Sequence, residues 1–176
     1  MEVSAGTFFR PNTLFYSLQA ESDDESLQYL LNHASKNEIG MLLFADNPQA
    51  GLGREQIINV WLREQSPDWE VGLRLPNLDL SLLLAYQLAR NWEGTINLIT
   101  VVADESHKES AENYLTQLID LGRMPKGTEV VVGVGDYDDL LASAPDADLN
   151  MFGLQMEINV ALMRRLLAVT GTTCVF

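Results

Sequence analysis

Residues 95–134 read TINLITVVADESHKESAENYLTQLIDLGRMPKGTEVVVGV, and this stretch decides the fold. Thr95–Val102 is an apolar, β-rich run of strand length. Ser106–Leu121 then repeats its apolar residues at helical spacing, and Glu129–Val134 is a second β-rich run. A strand, a helix and a strand in that order make a β-α-β unit, which places its two strands parallel. Ser106 and Glu109 have the spacing of a capping box, the hydroxyl reaching forward and the carboxylate back to the free amides of the first turn.

The same alternation extends in both directions. Toward the C-terminus come a short helix Tyr137–Ala144 capped by Asp136, a strand Asp148–Phe152, a helix Ile158–Val169 and a strand Thr172–Phe176. Toward the N-terminus lie a strand Ile57–Leu62 and a helix from about Leu78 to Asn91, with Asn77 as its N-cap. Leucines ring most of that helix, so protein is expected on both its sides. Further upstream, Thr13–Leu18 reads as a strand, and Ser22 and Glu25 as a second capping box. Leu27, Leu30, Leu31 and Ala34 mark a one-sided helix, and the wholly apolar run Ile39–Ala45 is a strand expected to be buried on both faces. The loop Asp46–Gln56, with Pro48, Gly51 and Gly53, separates the two regions. The fold class is therefore α/β: a mainly parallel sheet with helices on both faces, a Rossmann-like three-layer sandwich. Residues 1–50 form an N-terminal β-α-β extension and 51–176 the core, together one compact domain. The β-α-β of residues 13–45 faintly echoes that of residues 57–102, as any such protein would show.

Composition narrows the function classes. The chain has 176 residues, enough for one domain with its own core, and a net charge of −14. That charge is spread along the sequence and repels phosphate backbones, so no nucleic acid partner is expected. A single cysteine, Cys174, excludes an internal disulfide, fits a reducing compartment and reads as a small core residue. The N-terminus lacks a secretory h-region, and the longest apolar stretch, around Leu80–Ala89, is too short to span a bilayer. An apolar strand ending on Phe176 suggests a piece of a longer parent.

Reactive constellations are sparse. His33 and His107 stand among polar residues without a second ligand at metal spacing, so no metal and no cofactor are expected, and no catalytic residues are assigned. Asp104, Glu105, Asp136, Asp138 and Asp139 gather at predicted C-terminal strand ends, where α/β sheets place their ligand crevices; they read as caps and solvated tips, or, for Asp136, Asp138 and Asp139, as metal ligands in an enzyme. Gly133 and Gly135 follow a strand and precede a helix in the manner of a phosphate loop, but the acids after them oppose a pyrophosphate. Gly51, Gly53 and Arg54 precede a strand instead of a helix. Arg63, at the crevice edge, is the best single cation for an anion. Arg164 and Arg165, on the last helix, are either paired with acids or available to a partner. Trp69, in the Pro-bounded loop Glu64–Asn77, either anchors a partner or packs back on its own domain.

From Ile57 onward, the order of elements resembles the universal stress protein fold. The nucleotide-binding members of that family carry Gly-x2-Gly-x9-Gly-Ser/Thr near the last helix. Here Gly153 is followed by Met156 where the second glycine belongs, and only Gly171-Thr172 matches the end. A resemblance over the whole chain is carried by Arg10-Pro11-Asn12-Thr13-Leu14, Ile58-Asn59-Val60-Trp61, Leu82-Leu83-Leu84, Ala147-Asp148-Leu149-Asn150-Met151-Phe152-Gly153-Leu154, Met163-Arg164-Arg165 and Thr170-Gly171-Thr172-Thr173-Cys174. These resemble the cytosolic C-terminal domain of cation-chloride cotransporters, in the form closest to the prokaryotic members. The resemblance implies a domain that follows the membrane helices of its parent chain and sits at the cytoplasmic face. It also implies that the domain pairs as a homodimer and modulates ion transport without carrying ions. The alternative is a universal stress protein-like nucleotide binder using Arg63, Gly133 and Gly135.

Overall fold

Seven strands and five helices alternate through the chain. The computed structural model describes residues 12–19, 22–37, 39–62, 79–153 and 159–176. The strands are β1 (Thr13–Leu18), β2 (Gly40–Ala45), β3 (Ile57–Leu62), β4 (Thr95–Val102), β5 (Glu129–Val134), β6 (Leu149–Phe152) and β7 (Thr173–Val175). The helices are α1 (Asp24–Lys36), α2 (Asp79–Trp92), α3 (Lys108–Gly122), α4 (Tyr137–Ser143) and α5 (Val160–Thr170). All seven strands join one sheet in the order β1-β2-β7-β6-β3-β4-β5, and every pairing is parallel except β2 with β7.

That antiparallel pairing joins the N-terminal unit to the core. Phe44 lies opposite Val175 and Ala45 opposite Cys174, while Leu43 and Phe176 exchange both backbone hydrogen bonds at 2.9 Å. The first β-α-β therefore extends the core sheet. By position its counterpart is β6-α5-β7, and not the unit over residues 57–102: β1-α1-β2 and β6-α5-β7 meet strand to strand at β2 and β7, and their helices touch.

Period-two alternation sorts the core strands into two faces. On one face Ile58, Val60, Leu62, Ile96, Leu98, Val102, Leu149 and Met151 pack under α2 and α3. On the other Trp61, Ile99, Phe152, Cys174 and Phe176 pack under α1, α4 and α5. Helix α2 lies on β3, β4 and β6, and α3 on β4 and β5. Two sequence expectations change as a result. Helix α2 buries one side, through Leu82, Ala85 and Ala89, and leaves Leu83 57% exposed. Strand β2 buries Leu43 and Ala45 beneath α1, but Leu42 and Phe44 on its other face are only half covered, because α2 and α3 sit over the core strands.

Neither capping box forms: Asp23 caps α1, Asp104 caps the short 3-10 turn that leads into α3, and α3 itself starts at His107 without a side-chain cap. Asp23, not Ser22, caps α1: its carboxylate accepts from the Ser26 N–H at 3.0 Å and the Ser26 hydroxyl at 2.5 Å. Ser22 turns back to accept from the Gln19 N–H at 3.0 Å. Before α3, Asp104 accepts from Ser106, and a 3-10 turn Glu105–His107 precedes the helix. A carboxylate acceptor adjacent to a hydroxyl takes the orphan amide because charge-assisted bonds are stronger. Asp136 caps α4 as expected, accepting from the Asp138 N–H at 2.7 Å, and Asn159 caps α5. The expected Asn77 cap lies outside the described residues.

Candidate functional site

The strand order reverses between β3 and β6, and the crevice beyond the C-terminal ends of these strands is where open α/β sheets bind ligands. One face of the sheet below it is filled by aromatic rings. Trp61, near the end of β3, stacks on Phe152 of β6 with centroids 5.7 Å apart, and Phe152 stacks on Phe176 at 5.5 Å. Tyr137, opening α4, meets Trp61 edge-on at 5.6 Å. All three stacked rings are buried. The Trp61 indole N–H donates to Asn150 at 2.8 Å and Asn150 donates to the Thr172 hydroxyl at 2.7 Å, so the stack is oriented by a satisfied polar chain. Asn59, the registered neighbour of Asn150, accepts from Asn97 and donates to the Pro145 carbonyl, each at 2.8 Å. The three buried asparagines form a rung across β4, β3 and β6 that fixes register and leaves its amides partnered.

The two glycines read as a phosphate loop have structural uses. A Cβ on Gly133 would come within 2.5 Å of Leu140, so the absence of a side chain lets α4 close on β5. Gly135 adopts φ +108° and donates its N–H to the Val102 carbonyl at 2.9 Å. Helix α4 has seven residues, and Asp136, Asp138 and Asp139 occupy its start. Among the described residues, no group of three His, Cys, Asp or Glu side chains is placed to hold a metal ion. Asp104 is instead held below the usual carboxylate range by its Ser106 hydrogen bonds, and it pairs with His107 at 3.1 Å. Burial pushes the Cys174 thiol up to about 11, against a weaker opposing hydrogen bond to Thr170, which leaves it an inert core residue.

The loop Asp46–Gln56 does form an anion-binding nest, and the chain fills it from within. Asp148, just before β6, accepts backbone N–H bonds from Arg54 at 2.8 Å and from Gln56 and Ile57 at 2.9 Å. Partial burial alone would raise its pKa, but the three N–H donors and the nearby Arg54 charge together hold it below the ordinary value. Gly53 makes this approach possible: its φ is +57°, and a Cβ there would overlap the Asp148 carboxylate. A second tie comes from Thr173, whose buried hydroxyl accepts from the Asn47 N–H at 3.1 Å and donates to the Gly51 carbonyl at 2.5 Å. Neither Asp148 nor Thr173 stood out as a site residue in the sequence. The one signal was a carboxylate set directly before a buried strand.

Arg164 and Arg165 both have partners within the chain. Arg164, on α5, bonds Asp24 of α1 at 2.6 Å and the Ser22 carbonyl at 2.8 Å, tying the N-terminal unit to the core. Arg165 pairs with Asp138 of α4. Arg63 and Trp69 lie outside the described residues. His33 stacks on Tyr29, with centroids 6.1 Å apart, beside a groove of about 510 Å³ between β1 and α1. The described residues thus present surfaces and internal ties, with no nucleophile set against a base.

Two family models together account for the full length. The first C-terminal domain of prokaryotic cation-chloride cotransporters matches residues 1–52, and the second matches residues 53–176. The chain belongs to the prokaryotic cation-chloride cotransporter C-terminal domain family. In agreement, it is similar to the cytoplasmic domain of a prokaryotic cation chloride cotransporter, with a TM-score of 0.87 and 34% identity over 99% of this chain and 66% of that one. A universal stress protein from Pseudomonas aeruginosa shares the fold at a TM-score of 0.56 and 11% identity, over 93% of this chain and 62% of that one. A functionally unknown protein from the same species shares it at 0.53 and 12%, with the same coverage. No curated protein matches the sequence. Among the described residues no helix is long and apolar enough to cross a membrane.

Proposed function

We propose that this chain is the cytosolic regulatory and assembly domain of a cation-chloride cotransporter. In this reading it is joined to the transmembrane domain of the same parent, lies at the cytoplasmic face of the plasma membrane and acts as a homodimer. The observation that carries the reading is the pair of cotransporter family models spanning residues 1–176. The site geometry supports it: the sheet's ligand crevice has an aromatic floor, and the glycine loop's anion nest holds Asp148. No enzymatic step is proposed.

Residues 1–50 serve as the extension and 51–176 as the core of one compact unit, which the antiparallel β2–β7 pairing and the Arg164 clamp favour. Regulation then works by differential contact. The domain touches the membrane part differently in its transport states, and a coupling of about 1–3 kcal/mol shifts their populations without driving transport. The test is chloride flux through the parent protein reconstituted in vesicles, with this domain present and removed. A change of about five-fold or more is expected from a coupling of that size. Equal flux in the two preparations overturns the reading.

A further inference from the structure

The loop Asp46–Gln56 is shaped by bonds that do not involve Asp148. The Asn47 side chain accepts from the Gln49 N–H at 2.9 Å and the Ala50 N–H at 3.2 Å, and the Asn47 carbonyl accepts from the Gly51 N–H at 2.7 Å. The Gly53 and Glu55 N–H groups bond back to the Ala50 and Leu52 carbonyls, each at 3.1 Å. Thr173 ties the first half of the loop to β7, and Leu52 packs on the core. Gly51, Gly53 and Glu55 have φ of +56°, +57° and +57°. Left-handed residues at every second position turn successive N–H groups toward one side, which makes a backbone anion nest. Glu55 lacks glycine's freedom, and a side chain holds this conformation only where its surroundings impose it.

We infer that this loop is a binding site for a small carboxylate in its own right, and that Asp148 is its tethered occupant. The two carboxylate oxygens divide the donors: Oδ1 takes the Arg54 N–H, and Oδ2 takes the Gln56 and Ile57 N–H groups. A planar anion with two oxygens fits that pattern, and a single-centred halide fills it less completely. Gly53, Arg54 and Gln56 are exposed, so a dissolved anion can reach the nest once the Asp148 side chain is gone. The Arg54 charge favours an anion there. Tethering has a physical reason. A chain of net charge −14 repels free anions, whereas a carboxylate supplied by the chain itself binds intramolecularly. The joint between the N-terminal unit and the core is therefore occupied whatever the salt around it.

Asp148→Ala should lower the unfolding midpoint. Formate, the size of the deleted group, should restore roughly half of the loss or more when it replaces chloride at constant ionic strength. The wild type and Asp148→Asn, whose nests are filled, should show no such response. In amide-resolved NMR of Asp148→Ala, the Arg54, Gln56 and Ile57 signals should move together and saturate with formate, and chloride should move them less. Adding Gly53→Ala places a Cβ where the anion would sit and should abolish both effects. If Asp148→Ala does not fold in chloride, its refolding in formate becomes the readout. No recovery in formate, or a recovery that the wild type shares equally, overturns the inference. A chloride response as large as that to formate overturns the assignment to a carboxylate. Formate-induced movement of the same three amides in the wild type shows Asp148 to be exchangeable, and overturns its role as fixed occupant.

Discussion

Strands β3 and β4 and strands β1 and β2 are built alike, as parallel neighbours joined by a helix, yet they meet opposite fates. The first pair lies between helices on both faces, and five of the six residues of β3 are buried. The second has α1 on one face, while Phe15, Leu42 and Phe44 on the other are exposed or half covered. The same β-α-β grammar makes a core where a second layer closes over it and an open surface where it does not. This is why the clearest internal order of the domain sits in the core and its clearest opening at the edge strand.

Replacing Trp61 by Ala removes one end of the three-ring stack, the edge contact of Tyr137 and the partner of Asn150. It should cost about 3–5 kcal/mol by denaturant unfolding, whereas Phe15→Ala should change monomer stability by under about 0.5 kcal/mol, as for ordinary surface positions. Equal costs at the two positions would erase the contrast between the core and the N-terminal wing, the β1-α1-β2 unit.

Asp148→Asn comes next, at about 1–3 kcal/mol, since it turns an acceptor of three N–H bonds into one with a single poorer oxygen and a donor facing donors. The sign of its pH dependence follows from a folded pKa below the ordinary 3.8. The stabilisation is complete above the unfolded value and is lost as pH falls through the folded one. Acid titration of the wild type against Asp148→Asn measures this, and the two curves should converge at low pH.

A smaller effect is expected at the seam. Arg164→Ala breaks a half-exposed pair and a carbonyl bond, and should cost about 1 kcal/mol. Hydrogen exchange should speed up in α1 and leave β3 and β4 unchanged. Uniform acceleration would mean that the wing and the core unfold as one body.

Much of this was legible in the sequence, and the limits are physical. Apolar runs such as Ile57–Leu62 and Thr95–Val102 mark strands because every second residue, or every residue, must leave water. The helix starts were legible to within a residue or two: Ser22 marked a cap that Asp23 takes, and Ser106 marked a start that falls in the Asp104-capped 3-10 turn leading into α3. The placement of the wing was not legible, because it depends on Phe44 and Ala45 finding Val175 and Cys174 across the whole chain. The role of Asp148 was hidden for the same reason: the amides it accepts from lie 91 to 94 residues earlier. Local pattern names elements, whereas long-range pairing decides which of them become surface.

The most direct test of the account is chloride flux through the proposed parent cotransporter carrying Trp61→Ala, which undermines the core of this domain without shortening the chain. The prediction is a change of the same direction and similar size as removal of the whole domain. Flux indistinguishable from that of the unaltered transporter, with the domain shown to be unfolded, would contradict it.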